Sequence, residues 1–124
     1  KSLYGHFKNR AEALKANLDK IKIRFKKAIK DKLNKFNTDE ERAGFLKDTD
    51  ISEEIERLAF HIQNFRNKIS KSGPIGKELD FIAQEMQREA NTMAAKSFDV
   101  AMSARVVQVK SQIEKIREQV QNIE

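Results

Sequence analysis

The first 36 residues carry one uninterrupted apolar stripe. Leu14, Leu18, Ile21, Phe25, Ile29, Leu33 and Phe36 recur in steps of four, three, four, four, four and three. That is the period of a single helix face held over about six turns. Lys20, Lys22, Arg24, Lys26, Lys27, Lys30, Lys32 and Lys35 fill most of the remaining surface. The spacing predicts a helix from about Tyr4 or His6 to Phe36, with few turn signals to fold it back, so the expectation is a projecting basic N-terminal helix.

The same period recurs downstream. Thr38 and Glu41 read as a capping box opening a short helix that ends near Lys47, and Asp50 with Glu53 reads as a second one. Ile51, Ile55, Leu58, Ile62, Phe65 and Ile69 then form a strict heptad seam. It stops at Ser72-Gly73-Pro74, which holds the one proline of the chain. From Gly76 a third long helix is expected to bury Leu79, Ile82, Ala83, Met86, Ala90 and Met93. Ser97 or Asp99 is placed to cap a last helix with Val106, Val109, Ile113, Ile116, Val120 and Ile123 on its seam. Nothing alternates with period two over a useful length. The expected fold is all-α, four main helices forming a hairpin or bundle. Narrow seams on long helices usually need neighbours, so self-association is expected as well.

Charge is unevenly spread. Residues 1–37 carry 12 Lys and Arg against Glu12, Asp19 and Asp31, a balance of +9. The remainder holds 13 against 16, or −3. A basic arm and a mildly acidic body follow, the domains being drawn at 1–49 (basic helical arm or linker) and 50–124 (C-terminal helical domain), and such an arm suits phosphate backbones or the acidic face of another subunit. The chain has no cysteine, which excludes disulfides, thiolate metal sites and a cysteine nucleophile. No run approaches the roughly 20 apolar residues of a membrane span, so the chain reads as soluble. It begins at Lys1 rather than Met and reads as a piece of a longer protein.

The stretch LDFIAQEMQREANT, residues 79–92, is dense in directional polar groups. At about 100° per residue Glu78, Glu85 and Glu89 line one edge of its apolar stripe, with Thr92 and Lys96 continuing the line and Phe81 and Arg88 just beyond. Asp80, Gln84 and Asn91 take the other flank. On the preceding helix Glu54 and His61 are two turns apart and share a face. Folded as a hairpin, the two helices could bring His61 and Glu54 toward one carboxylate row. Two readings stay open. A histidine with several carboxylates can hold Mg²⁺ or Mn²⁺ and activate water for phosphodiester hydrolysis, His61 serving as acid or base. The same residues can equally be solvated faces or inter-helix ion pairs, since no close-spaced pattern such as HExxH is present. Phe60 and Phe81 fall off their seams, which suits a subunit contact or, less simply, stacking on a base.

Three blocks resemble one family. GKELDFIAQEMQREANTMAAKS (76–97) resembles the signature of the YicC/YloC-like endoribonucleases, formerly called stress-induced proteins. SEEIERLAFHIQNF (52–65) and VVQVKSQIEKIREQVQNIE (106–124) are similar to the blocks on either side of it. The resemblance implies a cytoplasmic bacterial protein that cuts RNA with a divalent metal ion. It further implies a homo-oligomer, a hexamer in the full-length protein, whose N-terminal domain is not in this chain. Matching positions include Glu53, Glu54, Arg57 and His61, then Asp80, Gln84, Glu85, Arg88, Glu89, Asn91, Thr92 and Lys96, and finally Lys110, Arg117, Glu118, Gln119, Gln121, Asn122 and Glu124. Glu78 and Ala95 depart from the family's usual basic residue and serine.

On that resemblance the expected catalytic groups are His61, Glu85 and Glu89, and the expected metal ligands Glu54, Asp80, Glu85 and Glu89. Arg57, Arg88 and Lys96 are expected to bind RNA together with Lys22, Lys26 and Lys30. The alternative is a non-catalytic oligomerisation and RNA-binding module supporting a missing catalytic half. Self-association predicts a solution mass, by light scattering, that is a multiple of the 124-residue chain; a strict monomer at all concentrations would contradict it.

Overall fold

A computed structural model describes residues 3–69 and 76–122. Among them are five helices and no strand: α1 Leu3–Leu33, α2 Asp39–Thr49, α3 Ser52–Ile69, α4 Gly76–Lys96 and α5 Val100–Gln121. Every seam residue expected on α3 and α4, and Val106 to Val120 on α5, lies in one core, joined by Met102. The expected breaker Ser72-Gly73-Pro74 and the last seam residue, Ile123, lie outside the described residues. None of the described helices is long and apolar enough to cross a membrane.

The four long helices pack in a ring, α1 on α3, α3 on α4, α4 on α5 and α5 on α1. Side-chain pairs show neighbours running antiparallel. On α1 and α5, Arg10 meets Gln119 while Arg24 meets Asp99; on α3 and α4, Arg57 meets Glu89 while Lys68 meets Glu78. The short α2 bridges α1 to α3.

The expected projection of the first helix is corrected here. Phe7, Ala11, Leu14, Leu18, Ile21, Phe25 and Ala28 are buried, and the Phe7 ring stands edge-on to Phe65 of α3 with centroids 5.7 Å apart. The apolar stripe therefore begins two turns earlier than its aliphatic part suggests. A polar seam with heptad spacing runs beside it. Arg10 donates to Gln119 Oε1 (2.8 Å), Asn17 to Gln112 Oε1 (3.2 Å), and Arg24 to both carboxylate oxygens of Asp99 (2.9 and 2.8 Å). These directional bonds fix the register of α1 on α5, which apolar contact alone leaves loose.

Helix α1 ends at Leu33 rather than Phe36 because Arg42 takes the carbonyl oxygens of Leu33 (3.3 Å) and Phe36 (3.0 Å). Phe36 then packs on Phe45, and Phe45 on Phe98, anchoring α2. The Thr38–Glu41 capping box is present, and α2 runs on to Thr49. The second expected box is not: the Asp50 carboxylate accepts from the N–H and hydroxyl of Ser52 (2.9 and 2.6 Å), while Glu53 turns to Arg57. Those bonds, the hydroxyl's first, hold the Asp50 carboxyl below its usual range.

Asp99 both caps α5, accepting from Met102 N–H, and receives Arg24. The Arg24 bond, first, and the cap bond hold its carboxyl below the ordinary carboxylate range. A depressed carboxyl adds stability above its unfolded value and loses it as pH falls through the native one. Asp99→Ala should therefore destabilise the chain by about 1 kcal/mol through the cap alone. Denaturant melts of Asp99→Asn from neutral pH to below about pH 4 should show a shallower acid-side loss of stability than the parent.

Candidate active site

The α3–α4 hairpin presents its polar residues in two groups. The first is closed. Glu54 and Glu89 flank the apolar seams and are only 4% and 6% exposed. Arg57 donates through Nε to Glu89 Oε1 at 3.2 Å and through Nη1 to Glu53 at 3.3 Å, and its Nη2 lies 3.8 Å from Glu54. Lys96 Nζ donates to Glu54 Oε2 at 3.1 Å and to the Asp50 carbonyl at 3.3 Å. Carboxylates this buried need such partners, because a charge out of water without one is strongly unfavourable. The bond to Glu89, then its charge, raises the Arg57 guanidinium above its ordinary range.

The second group is open. Arg57–Glu89 and Lys68–Glu78 define one antiparallel register, since Lys68 is eleven residues after Arg57 and Glu78 eleven before Glu89. His61, four after Arg57, and Glu85, four before Glu89, therefore come to the same level, one helical turn from the closed pair. Both are half-buried. His61 has its ring edge on Phe60, centroids 5.7 Å apart. Among the described residues neither His61 nor Glu85 has a hydrogen bond or ion pair within the chain. Phe60 and Phe81 are 66% and 61% exposed on the same hairpin, and Arg88 is exposed on α4 with its guanidinium unpaired.

The four carboxylates expected to share an ion are not gathered. Asp80 points to α5, accepting from Gln84 Nε2 at 2.8 Å, with Arg117 Nε 3.6 Å away. Glu54 and Glu89 are held by Arg57 and Lys96. Among the described residues no group of three or more His, Asp or Glu is placed to hold a metal ion. The expected RNA-binding residues divide likewise: Arg57 and Lys96 are engaged in the hairpin, while Arg88, Lys22, Lys26 and Lys30 are exposed. Lys22 and Lys26 line a groove of about 290 Å³ against Ser52, Ile55 and Glu56 of α3. The part sequence reasoning missed is the α4–α5 edge, where Gln87, not named there, and Arg117, named only as a family match, border a polar cleft. A helical wheel puts both beside the apolar stripes, but the partner helix that makes them neighbours is visible only in the fold.

Residues 7–124 match the family described as endoribonuclease YicC-like, C-terminal. The chain is 53% identical over 74 residues to a Clostridioides difficile protein named "Probable endoribonuclease YicC", covering 60% of this chain and 25% of that protein. It is 44% identical over 75 residues to a Haemophilus influenzae protein of the same name, covering 60% and 26%. The matched stretch thus spans about a quarter of these curated relatives.

The division into closed and open groups has a direct consequence for stability. Arg57→Met and Lys96→Met should each lower the unfolding temperature, since each strands a buried carboxylate. Glu85→Ala and His61→Ala, which break no bond in the chain, should stay within about 0.5 kcal/mol of the parent. Thermal melts by circular dichroism compare the four.

Proposed function

The chain belongs to the YicC-like endoribonuclease family as its C-terminal part, and from that premise we propose that it carries the reacting face of an enzyme that cleaves RNA phosphodiester bonds. The observation that carries this reading is the open pair: His61 and Glu85 stand level across the α3–α4 hairpin, half-buried and unspent, beside two carboxylates that are each paired with a cation, Glu54 through its Oε2 and Glu89 through its Oε1. Groups meant only to hold the hairpin together would be paired as Glu54 and Glu89 are. In phosphodiester cleavage a proton leaves the attacking oxygen, charge builds on the phosphoryl oxygens, and the leaving oxygen is protonated. Glu85 faces the attacking oxygen, His61 moves the proton, and Arg88, one turn from Glu85, meets the developing charge. Glu89, Arg57, Glu54 and Lys96 position these groups by fixing the register.

A divalent ion, when bound, would polarise the phosphoryl group and acidify water. The expected set of four carboxylates does not suit one. The donor that remains free for it is Glu85, which fits the way Mg²⁺ and Mn²⁺ are held by one or two carboxylates with water and substrate phosphate completing the shell. Lys22, Lys26 and Lys30, one turn apart on α1, suit backbone phosphates without reading sequence. Assembly into a homo-oligomer, hexameric in the full-length protein, and work in the bacterial cytoplasm belong to the same proposal.

The ion pairing of Glu54 and Glu89 favours a second reading, an assembly and RNA-holding module whose catalytic half lies elsewhere. A labelled hairpin RNA incubated with the chain in Mn²⁺ or EDTA, read on native and denaturing gels, separates the two. Metal-dependent cleavage that falls by about 10²-fold or more in Glu85→Ala and His61→Ala supports the enzyme. Cleavage unchanged by Glu85→Ala removes that residue, and binding without cleavage favours the module.

A further inference from the structure

The cleft between α4 and α5 takes no part in the proton chemistry of the hairpin face. It is open, about 560 Å³, and lined by Gln84, Gln87, Arg88, Asn91, Thr92 and Arg117. We propose that it is a recognition subsite for one unpaired RNA nucleotide, its base read by the amides of Gln84, Gln87 and Asn91 and its phosphate held by Arg88 and Arg117. The inference rests on the RNA-cleaving reading above and adds to it the element that chooses among RNA sequences.

The lining chemistry selects the ligand. Three carboxamides, two guanidiniums and a hydroxyl make the lining mostly polar, which disfavours a greasy ligand. Each amide sets a donor beside an acceptor, the pattern a base edge complements, and a guanidinium meets phosphate with two parallel bonds. A carboxylate-bearing peptide would use the guanidiniums and leave the amides idle.

One side chain of the cleft carries an unspent atom, and a second holds only a long ion pair. Gln87 Oε1, an acceptor, is buried with no hydrogen-bond partner, while Arg117 Nε, a donor, is buried 3.6 Å from Asp80 Oδ1, which has no hydrogen bond either. Native interiors seldom leave such an atom unmatched, and rotation of the Gln87 amide would offer its oxygen to a ligand in the cleft. Asp80 acts as a positioning residue. Its Oδ2 ties down Gln84 Nε2 at 2.8 Å, which leaves the Gln84 carbonyl oxygen available. Its Oδ1 forms an ion pair with Arg117, 3.6 Å from Nε, which holds the guanidinium at the rim.

The nucleotide must be unpaired, because protein side chains reach base edges of RNA mainly in loops, bulges and ends. Position gives the subsite its consequence. Arg88 lines the cleft and is also one turn from Glu85, so a nucleotide seated here is a close neighbour of the phosphate at the hairpin face.

Titration of the ¹⁵N-labelled chain with millimolar AMP, CMP, GMP and UMP, and with ribose 5-phosphate, tests this by NMR. Nucleotides should shift the side-chain amides of Gln84, Gln87 and Asn91 and the Nε–H of Arg88 and Arg117, whereas ribose 5-phosphate should move the two arginine signals alone. Asn91→Ala, at an exposed position, and Gln87→Leu should each weaken nucleotide binding about tenfold and leave ribose 5-phosphate binding unchanged. Equal shifts from ribose 5-phosphate, shifts confined to other residues, no shift at all, or the same amide shifts from an acidic peptide would each overturn base recognition. The readout involves no cleavage, so an inactive hairpin face and an empty cleft give different results.

Discussion

Two carboxylates sunk between α3 and α4 set the geometry that the open residues inherit. Glu54 and Glu89 lie at the margin of the core, where desolvating each charge costs on the order of several kcal/mol unless a cation comes with it. Arg57 and Lys96 supply those cations, one from each helix. The distances allow this at one register only: a slip of one residue would rotate a carboxylate by about 100° and strand it. The price of burying charge is thus met by specificity of alignment, and that alignment brings His61 and Glu85 to one level of the hairpin.

The α1–α5 contact solves a similar problem with different groups. Apolar seams attract but slide, and the long α1 offers many equivalent slips. Arg10, Asn17 and Arg24 face Gln119, Gln112 and Asp99 at heptad spacing, so a slip breaks three polar contacts together. The last of them also reaches the N-cap of α5, coupling the docking of α1 to the start of another helix. Lys22, Lys26 and Lys30 are among the α1 lysines the core does not use, and they form an exposed basic edge.

The polar residues of the hairpin therefore fall into two kinds that composition cannot tell apart. Glu54, Glu89, Arg57 and Lys96 spend their charge inside the chain. His61, Glu85 and Arg88 do not, and exposed Phe60 and Phe81 stand on the same hairpin. A site that must take and return protons needs groups of the second kind held by groups of the first, and the two lie one helical turn apart. Asp80 belongs with neither, since it serves the α4–α5 edge.

By itself the sequence determined the helices, their buried faces and two of their caps, because each depends on residues within a turn or two of one another. Helical period exposed the seams of α3, α4 and α5 residue by residue, and the Thr38–Glu41 box and the Asp99 cap follow from side chains reaching three residues along the chain. Membership of the family was also legible, from the blocks at 52–65, 76–97 and 106–124. Which charges are spent was not. Glu54 and Asp80 look alike on a helical wheel, yet one closes on Lys96 and the other on Arg117, partners 42 and 37 positions away. The docking of α1, hidden by its lysines, and the cleft that joins Gln87 to Arg117 were decided in the same way. Only the tertiary structure settles these, because an ion pair or a cleft wall is a relation between helices whose rotation and register are set by the whole core.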